Sequence, residues 1–340
     1  MEDTTITEER FGLEDEEFWS DPWRTKKAVQ RKLMAQGKEA FVIAAPAKVG
    51  LDAHRVFPVA VIRVYPVGGD NPNFEASTIV TGMNLYTGEL RAALAFDPPA
   101  APRPRPHPNG LPPAMIGEGR IVDLAQRLKL PPMRGDFLIT FISLDQVSER
   151  QRMKVVETVA YEDPAVEEFF GQRLATQLGP PKVSPEAHSG ARWFPIYEQR
   201  LDSPSVPSES GIQIVIERVN LVSAEECILT ASFKLPVDKR HIVAKARETA
   251  IVPITLLLTG SVDRSPQFVK LHVPSYAPIT SEGGQNFATG HFTLDLCQMA
   301  NLRTTPQTYF IYAFAGSILT GPIPSAFVAL PPSEARSANG

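Results

Sequence analysis

Two hexapeptides decide how this chain is read: Ile121-Val-Asp-Leu-Ala-Gln126 and Thr293-Leu-Asp-Leu-Cys-Gln298. Laid over one another they match Asp123 with Asp295, Leu124 with Leu296 and Gln126 with Gln298, at a separation of 172 residues (295 minus 123). The same separation then sets Leu130 on Leu302, Phe137 on Tyr309 and Ile139 on Ile311, and places Arg152-Met-Lys-Val-Val156 opposite Pro324-Ser-Ala-Phe-Val328. Polar and apolar positions return together, as an internal repeat requires. Upstream, Phe57-Pro-Val-Ala-Val-Ile62 resembles Val252-Pro-Ile-Thr-Leu-Leu257, each with its proline one residue inside an apolar run. The separation is 195 there (252 minus 57), which implies loops of different length between the blocks.

The surrounding sequence is a succession of short β-branched and aromatic runs split by Pro, Gly, Asn and Asp, such as Phe41-Val-Ile-Ala-Ala45 and Phe137-Leu-Ile-Thr-Phe-Ile142. The 32 prolines in 340 residues disfavour long helices and a large parallel sheet. The fold class expected is therefore all-β: two tandem, internally duplicated β-sandwich units of immunoglobulin-like size, with a few peripheral helices. The boundaries read as an acidic arm and basic helix at 1–38, a first sandwich at 39–160, and a connecting helix with a Pro/Ser-rich crossing at 161–211. A second sandwich at 212–332 and a disordered tail at 333–340 complete the chain.

Charge and composition exclude several functions. With 34 Lys plus Arg against 38 Asp plus Glu, nothing draws the whole molecule onto nucleic acid or anionic lipid. The longest apolar run, Ala250-Ile-Val-Pro-Ile-Thr-Leu-Leu-Leu258, falls well short of the roughly 20 residues of a membrane helix. The acidic start lacks the pattern of a secretory leader, so the expected location is cytoplasmic, and two cysteines exclude a disulfide framework.

Residues 1–20 hold eight acids against Arg10 alone, and the sign then reverses through Arg24, Lys26, Lys27, Arg31 and Lys32. Ser20 or Asp21 can cap a helix whose first turn takes Pro22 and which Gly37 can end. Phe18, Trp19 and Trp23 at this junction are candidate partner contacts; the competing reading packs the helix on its own domain. A second helix starts at Asp163-Pro164, with Val166, Phe170, Leu174 and Leu178 on one face. Pro98 to Pro113 carries eight prolines around Arg103, Arg105 and His107. It favours polyproline II, which fans the arginines out; they are further candidates for a partner-contact loop.

Six histidines invite a metal reading, with His54, His241, His272 and His291 as the ligand candidates. His291 and Asp295 share a strand face but stand about 13 Å apart, too far to share one zinc. Cys297 and Met299 have no histidine after them, so a blue-copper arrangement fails. Neither G-x-S-x-G, G-x-x-x-x-G-K-[ST] nor G-x-G-x-x-G occurs. Asp123 and Asp295, acids inside apolar strands, read as structural acceptors for backbone N–H groups at a bend. No cofactor is expected. The function expected is non-enzymatic, a structural or accessory subunit that binds a protein partner or a second copy of itself. The alternative is an enzyme or metal-binding accessory protein with a histidine site between the two units.

Overall fold

The computed structural model describes residues 15–37, 39–51, 56–66, 78–97, 115–130, 133–170, 174, 204–217, 227–238, 250–262, 266–275, 277–296 and 307–327. The arm at 1–14, the proline-rich stretch with Arg103 and Arg105, His54, His241, Cys297 and the tail at 333–340 lie outside them. The chain divides into two compact units, Met1–Glu186 and Ala187–Gly340.

In the first unit, β1 (Ala40–Ala44), β3 (Pro58–Pro66) and β6 (Met115–Asp123) form one sheet in the order β1-β3-β6. The other sheet runs β2-β9-β7-β4-β5, from β2 (Lys48–Gly50), β4 (Thr78–Asn84), β5 (Leu90–Leu94), β7 (Gly135–Ser143) and β9 (Gln151–Val156). β8 (Gln146–Val147) pairs with β7 beside this path. Val59, Val61 and Val122 of the first sheet meet Val80, Ile139, Phe141 and other residues of the second in a sandwich core. The run from Val56 to Tyr65 does not alternate because both faces of β3 are covered. Ala60 packs with Phe18 and Trp19, and Ile62 and Val64 pack with Val29 and Leu33.

That second cover comes from α1 (Asp15–Ser20) and α2 (Pro22–Ala35), so the helices belong to the first unit and are not a segment of their own. α2 starts as its sequence signals, with the Asp21 side chain accepting from Arg24 N and Pro22 in the first turn. Gly117 and Gly119 of β6 lie directly beneath it. A Cβ at Gly119 would stand 3.1 Å from Lys26 Cδ, so the missing side chains let the helix settle onto the strand. Gln30 Nε2 donates to Gly117 O and Lys26 Nζ to Gly119 O. The short α3 (Leu124–Arg127) follows β6, and α4 (Pro164–Glu168) begins under an Asp163 cap.

The second unit pairs β10 (Gly211–Glu217), β11 (Ile228–Val237), β15 (Gln285–Asp295) and β14 (Thr280–Glu282) in the order β10-β11-β15-β14. Facing it is the sheet β13-β12-β16-β17, from β13 (Gln267–Pro274), β12 (Ile251–Gly260), β16 (Gln307–Ala315) and β17 (Ile318–Phe327). Leu229, Ala231, Phe233 and Phe292 close on Leu256, Leu258, Val269 and Ile311. The first, second, sixth and fifth strands of the unit form one sheet and the fourth, third, seventh and eighth the other. This is the immunoglobulin-like order.

The pairing registers of the two units coincide. Gly135 faces Val155 across β7–β9, and Gln307 faces Phe327 across β16–β17, each 172 further along. Both pairs are irregular at the same place, before Gln151 in one and between Ile311 and Ala313 in the other. Pro58 faces Asp123, and Ile228 faces Asp295. This corrects the separation of 195 for the upstream block. The counterpart of β3 is β11, whereas Pro253 lies in β12, which pairs with β16 as β4 pairs with β7. A proline inside an apolar run is a local likeness, and the partner strand decides equivalence.

Candidate functional site

Phe18 and Trp19 are each only 1% exposed, which corrects their reading as groups offered to a partner. Their apolar area is satisfied within the first unit. The Trp19 ring lies 5.5 Å from Phe169 and 5.7 Å from Phe170, and Phe170 stacks on Tyr161 at 5.1 Å with 7° between the planes. Val166 of α4 joins them. Trp23 is half-buried, with the Lys26 ammonium 4.6 Å from its ring centre.

Beside this cluster the first unit carries an open cleft of about 440 Å³. Trp19, Val166, Phe170 and Pro46 form a buried floor; Ala47, Lys48, Thr158 and Ala160 form an exposed rim. The walls come from α1, the crossing between β1 and β2, the segment after β9, and α4 with Phe170. The sequence reading had Trp19 and the α4 face but not Pro46, Lys48 or Thr158 to Tyr161, which show no periodicity of their own.

The two aspartates occupy matched bends. Asp123 Oδ1 accepts from Phe57 N at 3.0 Å and from Ala125 N at 3.0 Å, capping α3, and Leu124 N returns to Phe57 O at 2.8 Å. Asp295 Oδ1 accepts from Cys227 N at 3.1 Å, and Leu296 N returns to Cys227 O at 2.8 Å. Burial pushes the Asp123 carboxyl above its ordinary value, against the backbone donors of Phe57, Ala125 and Gln126 that pull it down.

Of the histidine candidates, His272 is exposed on β13, while His291 is buried on β15 opposite Ser232, and burial lowers its value. Among the described residues no three His, Cys, Asp or Glu side chains gather as a metal site. The Cys227 thiol is pushed up to about 11 by burial, with Asp295 adding to the rise, and carries little thiolate at neutral pH. Arg63, unremarked in the sequence, is buried between the sheets, where Nη1 donates to Ser143 Oγ at 2.6 Å and the guanidinium faces Phe41 and Tyr65. This arrangement holds packing together and presents no reacting group.

Lys26 gives a pH test of the helix layer. Burial first, then Arg120 and Lys27, lower its ammonium to about 8, while the Nζ bond to Gly119 O is 3.0 Å. A lowered lysine means the folded chain holds fewer protons than the unfolded one between about pH 8 and 10.5. The stability of the native protein relative to Lys26→Met is therefore expected to rise across that window, by about 1–3 kcal/mol. Urea melts of both proteins at pH 7, 8.5 and 10 measure it, and a pH-independent difference contradicts it.

No family model matches the chain, and no curated protein does. Among solved structures, a marsupial T cell receptor is similar at 11% identity over 85% of this chain and 99% of that one, with a TM-score of 0.20. The chicken interferon gamma receptor alpha chain is similar at 10% identity over 86% of this chain and 98% of that one, with a TM-score of 0.18. Scores this low carry no argument, and the class of the fold rests on the strand order above.

Proposed function

We propose that the protein is a non-enzymatic interaction protein, a structural or accessory subunit working in the cytoplasm, whose two related sandwich units arose by internal duplication. The observation that carries this reading is one pairing register whose outer sheet face is apolar in one unit and hydroxyl-bearing in the other, so that each is covered by different chemistry. In the first unit the outer face of β3 and β6 presents Ala60, Ile62 and Ile121 to its own helices. At the matching positions the second unit has Thr230, Ser232 and Thr293, which are buried as well, with Ser232 Oγ donating to Ser205 O at 2.7 Å. A constant frame under altered faces supports a role in binding, by association between such frames and recognition.

The test is capture of partners by the tagged full chain followed by cross-linking, with mass spectrometry to place each cross-link. A protein retained above the tag-only control, cross-linked at defined positions, supports the reading. Stoichiometric metal in the purified chain with no protein captured overturns it in favour of the histidine-site alternative. Deleting 1–37 is unsuited to this purpose because α1 and α2 are part of the first unit; deleting 1–14 leaves them in place.

A further inference from the structure

The outer face of α2 is a row of cations. Arg24, Lys27, Arg31 and Lys32 are exposed along its 14 residues, and the helix contains no acid. Arg24 and Lys27 stand three apart and Lys27 and Arg31 four apart, so each meets a like charge on the next turn, which disfavours the helix. Arg24 also lies in the first turn, where the helix dipole favours an anion instead. Exposed Arg120 of β6 adds a further cation: after burial itself, Arg120 and Lys27 hold the Lys26 ammonium down. The acids near this face sit at its ends. Asp15, Glu16 and Glu17 of α1 and the capping Asp21 precede the helix, and Glu39, which accepts from Gln146 Nε2, follows it. Glu118 of β6 accepts from the Tyr65 hydroxyl, and α4, with Glu167 and Glu168, packs against α1. Among the described residues no acid engages the Lys27 or Arg31 side chain.

We propose that this face docks the chain's own acidic arm, residues 1–14, with Glu8 and Glu9 paired to Lys27 and Arg31. The arm carries Glu2, Asp3, Glu8, Glu9 and Glu14 against Arg10 and joins α1 directly. Extended, it reaches up to about 46 Å, and the six steps from Glu9 to Asp15 alone span up to about 20 Å, close to the length of α2 at about 21 Å. A single exposed ion pair contributes little, but a short tether raises the local concentration of the acids to the order of millimolar. A polyanion from outside would meet the arm's own acids before the helix, so tether and sign both favour the internal occupant.

Coupling of carboxylates to lysines by a zero-length carbodiimide reagent, with peptide mapping of the full chain, tests it. Glu8 or Glu9 is expected to join Lys27, about tenfold less in about 1 M salt, where charges are screened within about 3 Å. In parallel, the full chain and a chain lacking 1–14 are eluted from a heparin column, each with and without Lys27→Gln and Arg31→Gln together. Both positions are exposed, so thermal melts should match and rule out misfolding. The paired substitution should hardly move the elution of the full chain and should clearly lower that of the truncated one, because only there is the face uncovered. Equal shifts in the two backgrounds, or no arm cross-link to Lys27, overturn the proposal. So does a full chain that heparin or phosphatidylserine vesicles retain through Lys27 and Arg31, since the face is then open to outside anions. None of these results depends on capturing a partner, so the interaction reading stands or falls separately.

Discussion

Trp19→Ala is expected to cost about 3–5 kcal/mol and to lower the melting temperature by roughly 10 °C. Trp19 is 1% exposed and is held among Phe18, Phe169 and Phe170, so truncation leaves a cavity that three aromatic neighbours cannot collapse to fill. Trp19→Phe should lose much less, since a ring of similar shape still meets Phe169 and Phe170. Removing residues 1–37 should cost more than Trp19→Ala, because it also uncovers Ile62 and Val64 beneath Val29 and Leu33. The emission of Trp19, read with Trp23 and Trp193 replaced by phenylalanine, should be blue-shifted in the isolated protein. Red-shifted emission together with an unchanged melting temperature for Trp19→Ala would return this residue to the role of a partner contact.

Asp123→Ala should destabilise the first unit by about 2–4 kcal/mol. The carboxylate is the acceptor for two backbone donors, Phe57 N and Ala125 N, and alanine leaves both without one. Asp295→Ala removes the acceptor of Cys227 N and should cost about 1–3 kcal/mol. Asp123→Asn keeps an oxygen for the same donors and should recover most of the loss. The asparagine variant also fixes the pH dependence. Because burial raises the Asp123 carboxyl above its unfolded value of 3.8, its contribution is fullest below that value and declines as the pH climbs through the raised one. Native stability relative to Asp123→Asn should accordingly fall as the pH rises above 3.8. Equal urea midpoints for the alanine variant and the native protein, with binding lost, would make Asp123 a contact residue.

Features that depend on neighbours in the chain could be read from the residues alone. Asp21-Pro22 and Asp163-Pro164 start helices because a side-chain acceptor and a fixed φ act within one turn. The β class followed from short branched runs between prolines, and Asp123 and Asp295 marked equivalent bends because an acid inside an apolar strand must find donors. The register shared by β7–β9 and β16–β17 was visible too, since it depends on one unbroken separation. Tertiary structure alone decided the rest. The likeness of the Pro58 and Pro253 runs was misleading because strand equivalence belongs to pairs, and the partner of β3 is β6, its neighbour in the same sheet but more than 50 residues further along the chain. Trp19 looked available until Phe169 and Phe170, about 150 positions later, closed over it. The glycines of β6 carried no sign of the helix that rests on them, and the cleft is assembled from four segments separated along the chain. In each case the deciding contact joins residues remote in sequence, and no periodicity within either segment encodes it.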